Sequence, residues 1–217
     1  MSESNQYIPA LGRDWLTPLY DPLQRWVMRE NQFKRHLIQQ AQIKPRHRVL
    51  DLGCGTATLT ILIKQTHPET EVVGLDGDPK VLAIARAKAA KAGVAITLDH
   101  GMAFEMPYPD QAFDRVLSSL VLHHLTTENK QRALREVVRI LPPNGELHVV
   151  DFGKPHTAWA RLISRGMLRF EQAEDNLKGL LPAMFRQAGL DQVAETARYS
   201  TLFGTLSLYQ GRKPGSA

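Results

Sequence analysis

The chain of 217 residues is long enough for one domain with an appendage, and its 43% hydrophobic and 23% charged residues exclude a disordered or fibrous class. No apolar run approaches the ~20 residues of a membrane-spanning helix, and the first residues lack the basic start and apolar stretch of a leader, so a cytoplasmic protein is expected. The net charge of +5 divides as +4, −2 and +3 over residues 1–48, 49–150 and 151–217, without the basic run and interleaved aromatics of a nucleic-acid binder.

Residues 7–21 are irregular and rich in Pro, Tyr and Trp. Residues 22–41 read as a helix, with Pro22 near its start and Leu23, Trp26, Val27, Phe33, Leu37 and Ile38 along one face. From Pro45 onward short apolar runs alternate with helical ones. Residues 48–51 are a strand that ends in a glycine-rich turn, and residues 58–65 are the helix that follows. Residues 71–76 are a second strand. Asp78 and Pro79 then supply an N-cap and a first-turn proline to a helix through Lys91, which Gly93 stops. Residues 95–98, 113–120 and 145–151 are three more strands, with a helix over 126–141. Residues 157–170 and 176–188 are helical, the second stretch broken by Pro182 and ended by Gly189. Residues 192–197 and 205–209 fit a hairpin at a sheet edge.

This alternation implies an α/β fold with a parallel sheet and helices on both faces, because right-handed crossovers put them there. The expected organisation is a helical N-terminal cap or lid (1–44), a Rossmann-like core (45–153), and a substrate-side helical insertion with a strand pair completing the same domain (154–217). The lone Cys54 excludes a disulfide framework and a cysteine-rich metal site.

The segment Val49-Leu50-Asp51-Leu52-Gly53-Cys54-Gly55-Thr56-Ala57-Thr58-Leu59-Thr60 carries the chemistry. Glycines between a strand and a helix let backbone approach a ligand, although a tight turn uses glycine for steric reasons too. Asp76, about twenty residues on at the next strand end, suits the two hydroxyls of a ribose. A dinucleotide fingerprint would carry a third glycine where Thr58 stands, which disfavours a nicotinamide cofactor. S-adenosylmethionine has an ammonium that Asp51 could meet, directly or through water, and an acidic central region is compatible with a cationic ligand.

Those residues, together with Gly74-Leu75-Asp76, Met106-Pro107-Tyr108-Pro109-Asp110 with Phe113-Asp114, Leu122-His123-His124-Leu125 and Arg139 to Leu147, resemble the class I S-adenosylmethionine-dependent methyltransferases. Within that class they are most similar to the small-molecule branch of the ubiquinone/menaquinone-biosynthesis C-methyltransferases. The resemblance covers about residues 45–153. It implies a seven-stranded, doubly wound, mostly parallel sheet whose last strand is antiparallel. It further implies Asp51, Gly53 and Gly55 at the methionine end, Asp76 at the ribose, Gly77 against the adenosine, Met102 and Ala103 flanking adenine, and Ser118 facing the cofactor. Ala57 departs from a frequent glycine, and Met102 from a frequent aspartate.

Methyl transfer asks the protein to align donor and acceptor and exclude water, with a base only where the nucleophile must lose a proton. His124 and His123 after the fourth strand, Asp151 at the end of the fifth, and Tyr20 in the N-terminal segment are the candidates. In the similar phosphoethanolamine methyltransferases, a histidine matching His124 pairs with an N-terminal tyrosine, a part Tyr20 could take. Against these roles stand ordinary ones: the histidines finish a loop, and Asp151 caps the next segment. Adjacency is expected to aim the two imidazoles apart, and no carboxylate cluster accompanies them, so no metal site is expected.

Arg161, Arg165 and Arg169 recur every four residues beside Trp159, Leu162, Ile163, Met167 and Phe170. Such a stripe is a solvated face or a contact with a membrane surface or anionic head group. The leading reading is methylation of a small acceptor, aromatic or lipophilic, yielding S-adenosylhomocysteine. The alternatives are a phospholipid or phospho-base N-methyltransferase at a membrane, a nicotinamide oxidoreductase, or a binding protein without catalysis. Oligomeric state is not legible.

Overall fold

The computed structural model describes residues 30–167, 172–201 and 203–215, and of residues 164–167 the backbone alone. The elements are α1 (Glu30–Gln40), β1 (Arg48–Leu52), α2 (Thr58–Thr66), β2 (Glu71–Asp76), α3 (Pro79–Ala92), β3 (Thr97–His100), β4 (Arg115–Ser119), a 3-10 turn (Leu122–His124), α4 (Thr127–Ile140), β5 (Glu146–Phe152), α5 (Ala158–Met167), α6 (Glu174–Leu177), α7 (Leu181–Gln187), β6 (Asp191–Thr201) and β7 (Gly204–Arg212). One seven-stranded sheet runs in the order β3-β2-β1-β4-β5-β7-β6. The first five strands are parallel, and β7 lies antiparallel between β5 and β6. The expected seven-stranded, mostly parallel architecture is therefore present.

The central strands are apolar on both faces because both faces are covered. On one face Phe33, Leu37 and Ile38 of α1 and Leu59 and Ile63 of α2 pack over Val49, Leu117, Val150, Leu206 and Leu208. On the other, Leu134, Val137 and Ile140 of α4 and Phe185 of α7 cover Leu50, Val116, Leu147 and Val149. Helix α1 thus belongs to the sheet's packing, so the described part of the 1–44 segment is core. The start of the helix expected over 22–41, with Tyr20 and the other aromatics before residue 30, lies outside the described residues.

Two boundaries differ from expectation for local reasons. The β3 ladder begins at Thr97, opposite Val73, because this edge strand is half-exposed and its apolar run does not mark its pairing. The helix expected over 176–188 is two helices: the chain breaks at Gly179, whose φ is +75°, and Pro182 sits in the first turn of α7, where its missing N–H costs nothing. The helix expected over 157–170 is described as far as Met167.

The strand order reverses between β1 and β4, since the chain leaves β1 toward β2 and β3 and returns to build β4 and β5 on its other side. A crevice at the carboxyl ends follows from that reversal, and ligands of open α/β sheets bind in such crevices. Gly74 in mid-β2 is needed for the same region: a Cβ there would meet Cys54 Sγ and Leu98 Cδ2, each at 2.9 Å. Gly74→Ala is expected to destabilise the protein by ~1–3 kcal/mol through overpacking, read as a lower urea midpoint at unchanged slope.

Candidate active site

The β1–α2 loop wraps around the end of β2. Gly53 and Cys54 both donate from their amides to Leu75 O, at 2.8 and 3.0 Å, and Gly55 N donates to Asp76 Oδ2 at 2.8 Å. Asp78 N donates to the other oxygen of Asp76 at 2.9 Å. Gly53, Gly55 and Ala57 all have left-handed φ, of +70°, +53° and +61°. A Cβ on Gly53 would strike Val121 Cγ2 at 2.4 Å, whereas open space lies over Gly55. At Ala57 the backbone adopts a left-handed conformation that favours glycine.

Asp51 is 1% exposed and accepts from Thr60 Oγ1 of α2 at 2.6 Å. Burial pushes its pKa up to about 6, against the opposing pull of Thr60 and the Lys34 ammonium. Lys34 is paired with Glu30 one turn earlier on α1, and both are buried. Burial also raises Asp76, against the amides of Asp78 and Gly55 that stabilise its charge. Cys54 is buried beneath the loop, and desolvation raises its thiol far above the ordinary range, so it is inert.

Two carboxylates stand here at neighbouring strand ends. A carboxylate has about four acceptor directions, and Asp76 meets the backbone amides of Gly55, Gly77 and Asp78, which leaves acceptor capacity for a ribose hydroxyl. Asp51 is an under-compensated anion that suits an ammonium. The donor set therefore fits an amino-acid nucleoside. Gly101 N donates to Asp76 O at 3.0 Å, and Met102 bridges Glu105, which brings the Met102–Ala103 loop beside the same strand end. Gly77, between the two caps, accepts from the His100 imidazole through its carbonyl at 3.1 Å.

Ser118 is buried and its hydroxyl donates to Leu52 O at 3.0 Å, tying β4 to β1. The hydroxyl without a partner at this strand end is that of Ser119. Beyond it, Leu120 has a φ of +61° and the chain enters the 3-10 turn.

The two histidines do not diverge as expected: their ring centroids are 4.0 Å apart with planes at 42°. His123 is the buried partner of Asp151, with Nδ1 donating to Oδ1 at 2.8 Å. Asp151 is fully buried and its other oxygen accepts from Val121 N and Leu122 N at 3.2 and 2.8 Å. Burial disfavours the Asp151 charge, but His123 and the backbone donors hold its carboxyl below the usual range. Asp151 therefore caps the turn and holds it from within the core. His124 is half-buried, and its ring makes no hydrogen bond to any described residue. Desolvation, reinforced by His123, pushes its pKa down to about 3, so the ring is neutral. Sequence reasoning missed Thr60, Lys34, Glu30 and Ser119. Only Thr60 had a signal, its place within the glycine-rich segment.

Because the folded-state pKa of Asp51 is raised, folding takes up a proton between about pH 4 and 6, and the ionised form above that range costs stability. Asp51→Asn, whose amide can keep the Thr60 contact, is expected to stabilise the ligand-free protein by ~2–3 kcal/mol at pH 8 and by little at pH 4, measured by thermal denaturation.

A methyltransferase-domain family model matches residues 49–145. The demethylmenaquinone methyltransferase of Thermus thermophilus is 33% identical over 172 residues, which cover 78% of this chain and 76% of that protein. A methyltransferase of Synechocystis sp. with no assigned substrate is 31% identical over 84% of each. Among solved structures, the S-adenosylmethionine-dependent methyltransferase SibL superposes with a TM-score of 0.70 at 22% identity, over 95% of this chain and 60% of SibL, which shows the shared fold. With a loop and paired acids that fit an amino-acid nucleoside, the chain belongs to the class I methyltransferases of the UbiE-like type, which take a methyl group from S-adenosylmethionine and release S-adenosylhomocysteine.

Proposed function

We propose that the acceptor is a small lipophilic hydroquinone, methylated on a ring carbon. The activity for which the Thermus thermophilus relative is named, methylation of demethylmenaquinone, supports this class. The observation that carries it is His124: a neutral imidazole without a hydrogen bond to any described residue, at the carboxyl end of β4, suits an uncharged hydroxyl rather than a phosphate or an ammonium. Phospholipid, phospho-base and nicotinamide readings are not favoured by these relatives.

In this reading Asp51 with Gly53 and Gly55 holds the methionine end of the cofactor and Asp76 its ribose. Gly77 lies against the adenosine, and Met102 and Ala103 flank adenine. With the Ser118 hydroxyl spent on Leu52, Ser119 takes the place expected of it. The cofactor supplies an electrophilic methyl group on a sulfonium. His124 accepts a hydrogen bond from the acceptor's hydroxyl, which raises electron density in the ring. His123 and Asp151 are positioning residues that hold the turn and its neutral imidazole in place. Tyr20 remains a candidate partner of His124 on the segment before residue 30.

Incubation with S-adenosylmethionine and a reduced short-chain 2-prenyl-1,4-naphthoquinone is expected to yield the ring-C-methylated product, identified by mass spectrometry and by loss of the ring proton signal. Product methylated on oxygen, or none, would count against the proposal. His124→Phe is expected to lower kcat by about tenfold, the worth of one neutral hydrogen bond, and to leave the KM for S-adenosylmethionine unchanged.

The pH dependence separates the two groups. Below about pH 6 Asp51 is protonated and loses its attraction for an ammonium, so the KM for S-adenosylmethionine is expected to fall as pH rises through about 6 and then level off. Asp51→Asn should abolish that dependence. With its pKa at about 3, His124 contributes no limb near neutrality to the pH profile of kcat.

A further inference from the structure

Asn176 in α6 is 0% exposed, and neither its Oδ1 nor its Nδ2 has a hydrogen-bond partner among the described residues. A buried amide left in that state costs about 1–3 kcal/mol for each unsatisfied atom, so its persistence calls for an explanation.

The surrounding segment is firmly held. Asp175 Oδ2 accepts from Thr127 Oγ1 at 2.7 Å and from Lys130 Nζ at 3.1 Å. Lys130, itself fully buried, also donates to Gln172 O at 2.6 Å. On the far side Leu180 N donates to Asp175 O at 2.9 Å. The backbone around Asn176 is thus pinned at the start of α4, and the amide alone is left without partners.

Helix α6 packs against the Leu122–His124 turn and against β5. Two polar side chains with open hydrogen-bonding capacity, Asn176 and His124, therefore lie on neighbouring elements at the carboxyl ends of β4 and β5. An amide carries no charge and offers both a donor and an acceptor, which matches a hydroxyl or carbonyl oxygen and is a poor match for a phosphate or an ammonium.

We propose that Asn176 is an acceptor-binding residue, whose amide hydrogen-bonds an oxygen of a neutral hydroxy- or oxo-aromatic methyl acceptor and selects for it. This deepens the hydroquinone reading and rests on it. A site built to pair an oxygen rejects analogues that lack it, because its own polar atoms then stay unpaired.

The test compares wild type with Asn176→Leu, a substitution of similar size. The reduced 2-prenyl-1,4-naphthoquinone serves as acceptor, beside an analogue in which one ring oxygen is replaced by hydrogen. The ligand-free variant is expected to melt at or above the wild-type temperature, since no protein hydrogen bond is lost. Its KM for the naphthohydroquinone should rise about tenfold at unchanged KM for S-adenosylmethionine, and its preference for the full acceptor over the analogue should shrink. Equal kinetics and equal discrimination in wild type and variant would overturn the role of Asn176. So would a lower melting temperature with both KM values rising together, the mark of a structural part. A wild type that leaves the naphthohydroquinone unmethylated would overturn the acceptor reading itself, and the proposal with it. If Asn176→Leu is recovered unfolded, Asn176→Ala carries the same comparison.

Discussion

A buried carboxylate, Asp51, and a half-buried one, Asp76, at the ends of neighbouring strands are the constraint around which this site is arranged. Charge in a dry interior is costly unless it is met by donors, and the two are met unequally. Asp76 is embraced by the amides of Gly55 and Asp78, so that loop, strand end and the start of α3 close around one anion. Asp51 is met by Thr60 alone, through hydroxyl and backbone amide, and by the charge of Lys34, and its raised affinity for protons records the shortfall against burial. The ligand-free protein thus carries an under-compensated negative charge at the end of β1, which a cationic ligand would relieve. Preorganisation here is a charge held in place without its partner, maintained by packing elsewhere.

The acceptor side follows the same logic with neutral groups. Asp151 spends its charge inside the molecule, on the amides of Val121 and Leu122 and on His123, and so fixes a turn whose outer histidine is stripped of charge by burial. One histidine is bound into the core by Asp151, and the other makes no hydrogen bond to any described residue. Their closeness explains the division, since two imidazolium rings at 4.0 Å would repel each other.

Much of this was legible in the sequence where the signal is local. The helix from Pro79 to Ala92 announces itself by Asp78, Pro79 and Gly93, and β2 by an apolar run closed by Asp76. Gly53, Gly55 and their relation to Asp76 were legible because strand, turn and helix are consecutive in the chain. What could not be read depends on distant crossings. Lys34 bears on the Asp51 carboxylate only because α1 lies on that face of the sheet, and α6, which carries Asn176, meets the histidine turn from fifty residues away. The likeness to SibL at 22% identity conveys architecture alone, and chemistry had to be argued from side chains.

The absent side chain of Gly53 is filled by Val121, the residue at the threshold of the histidine turn. The β1–α2 loop and the histidine turn therefore share a wall one valine thick. A ligand that displaces this contact from one side is thermodynamically linked to any ligand that uses it from the other, and such a coupling is reciprocal. Cooperation between the two halves of the crevice needs no hinge and no moving domain, only a glycine small enough to let a neighbour lean in.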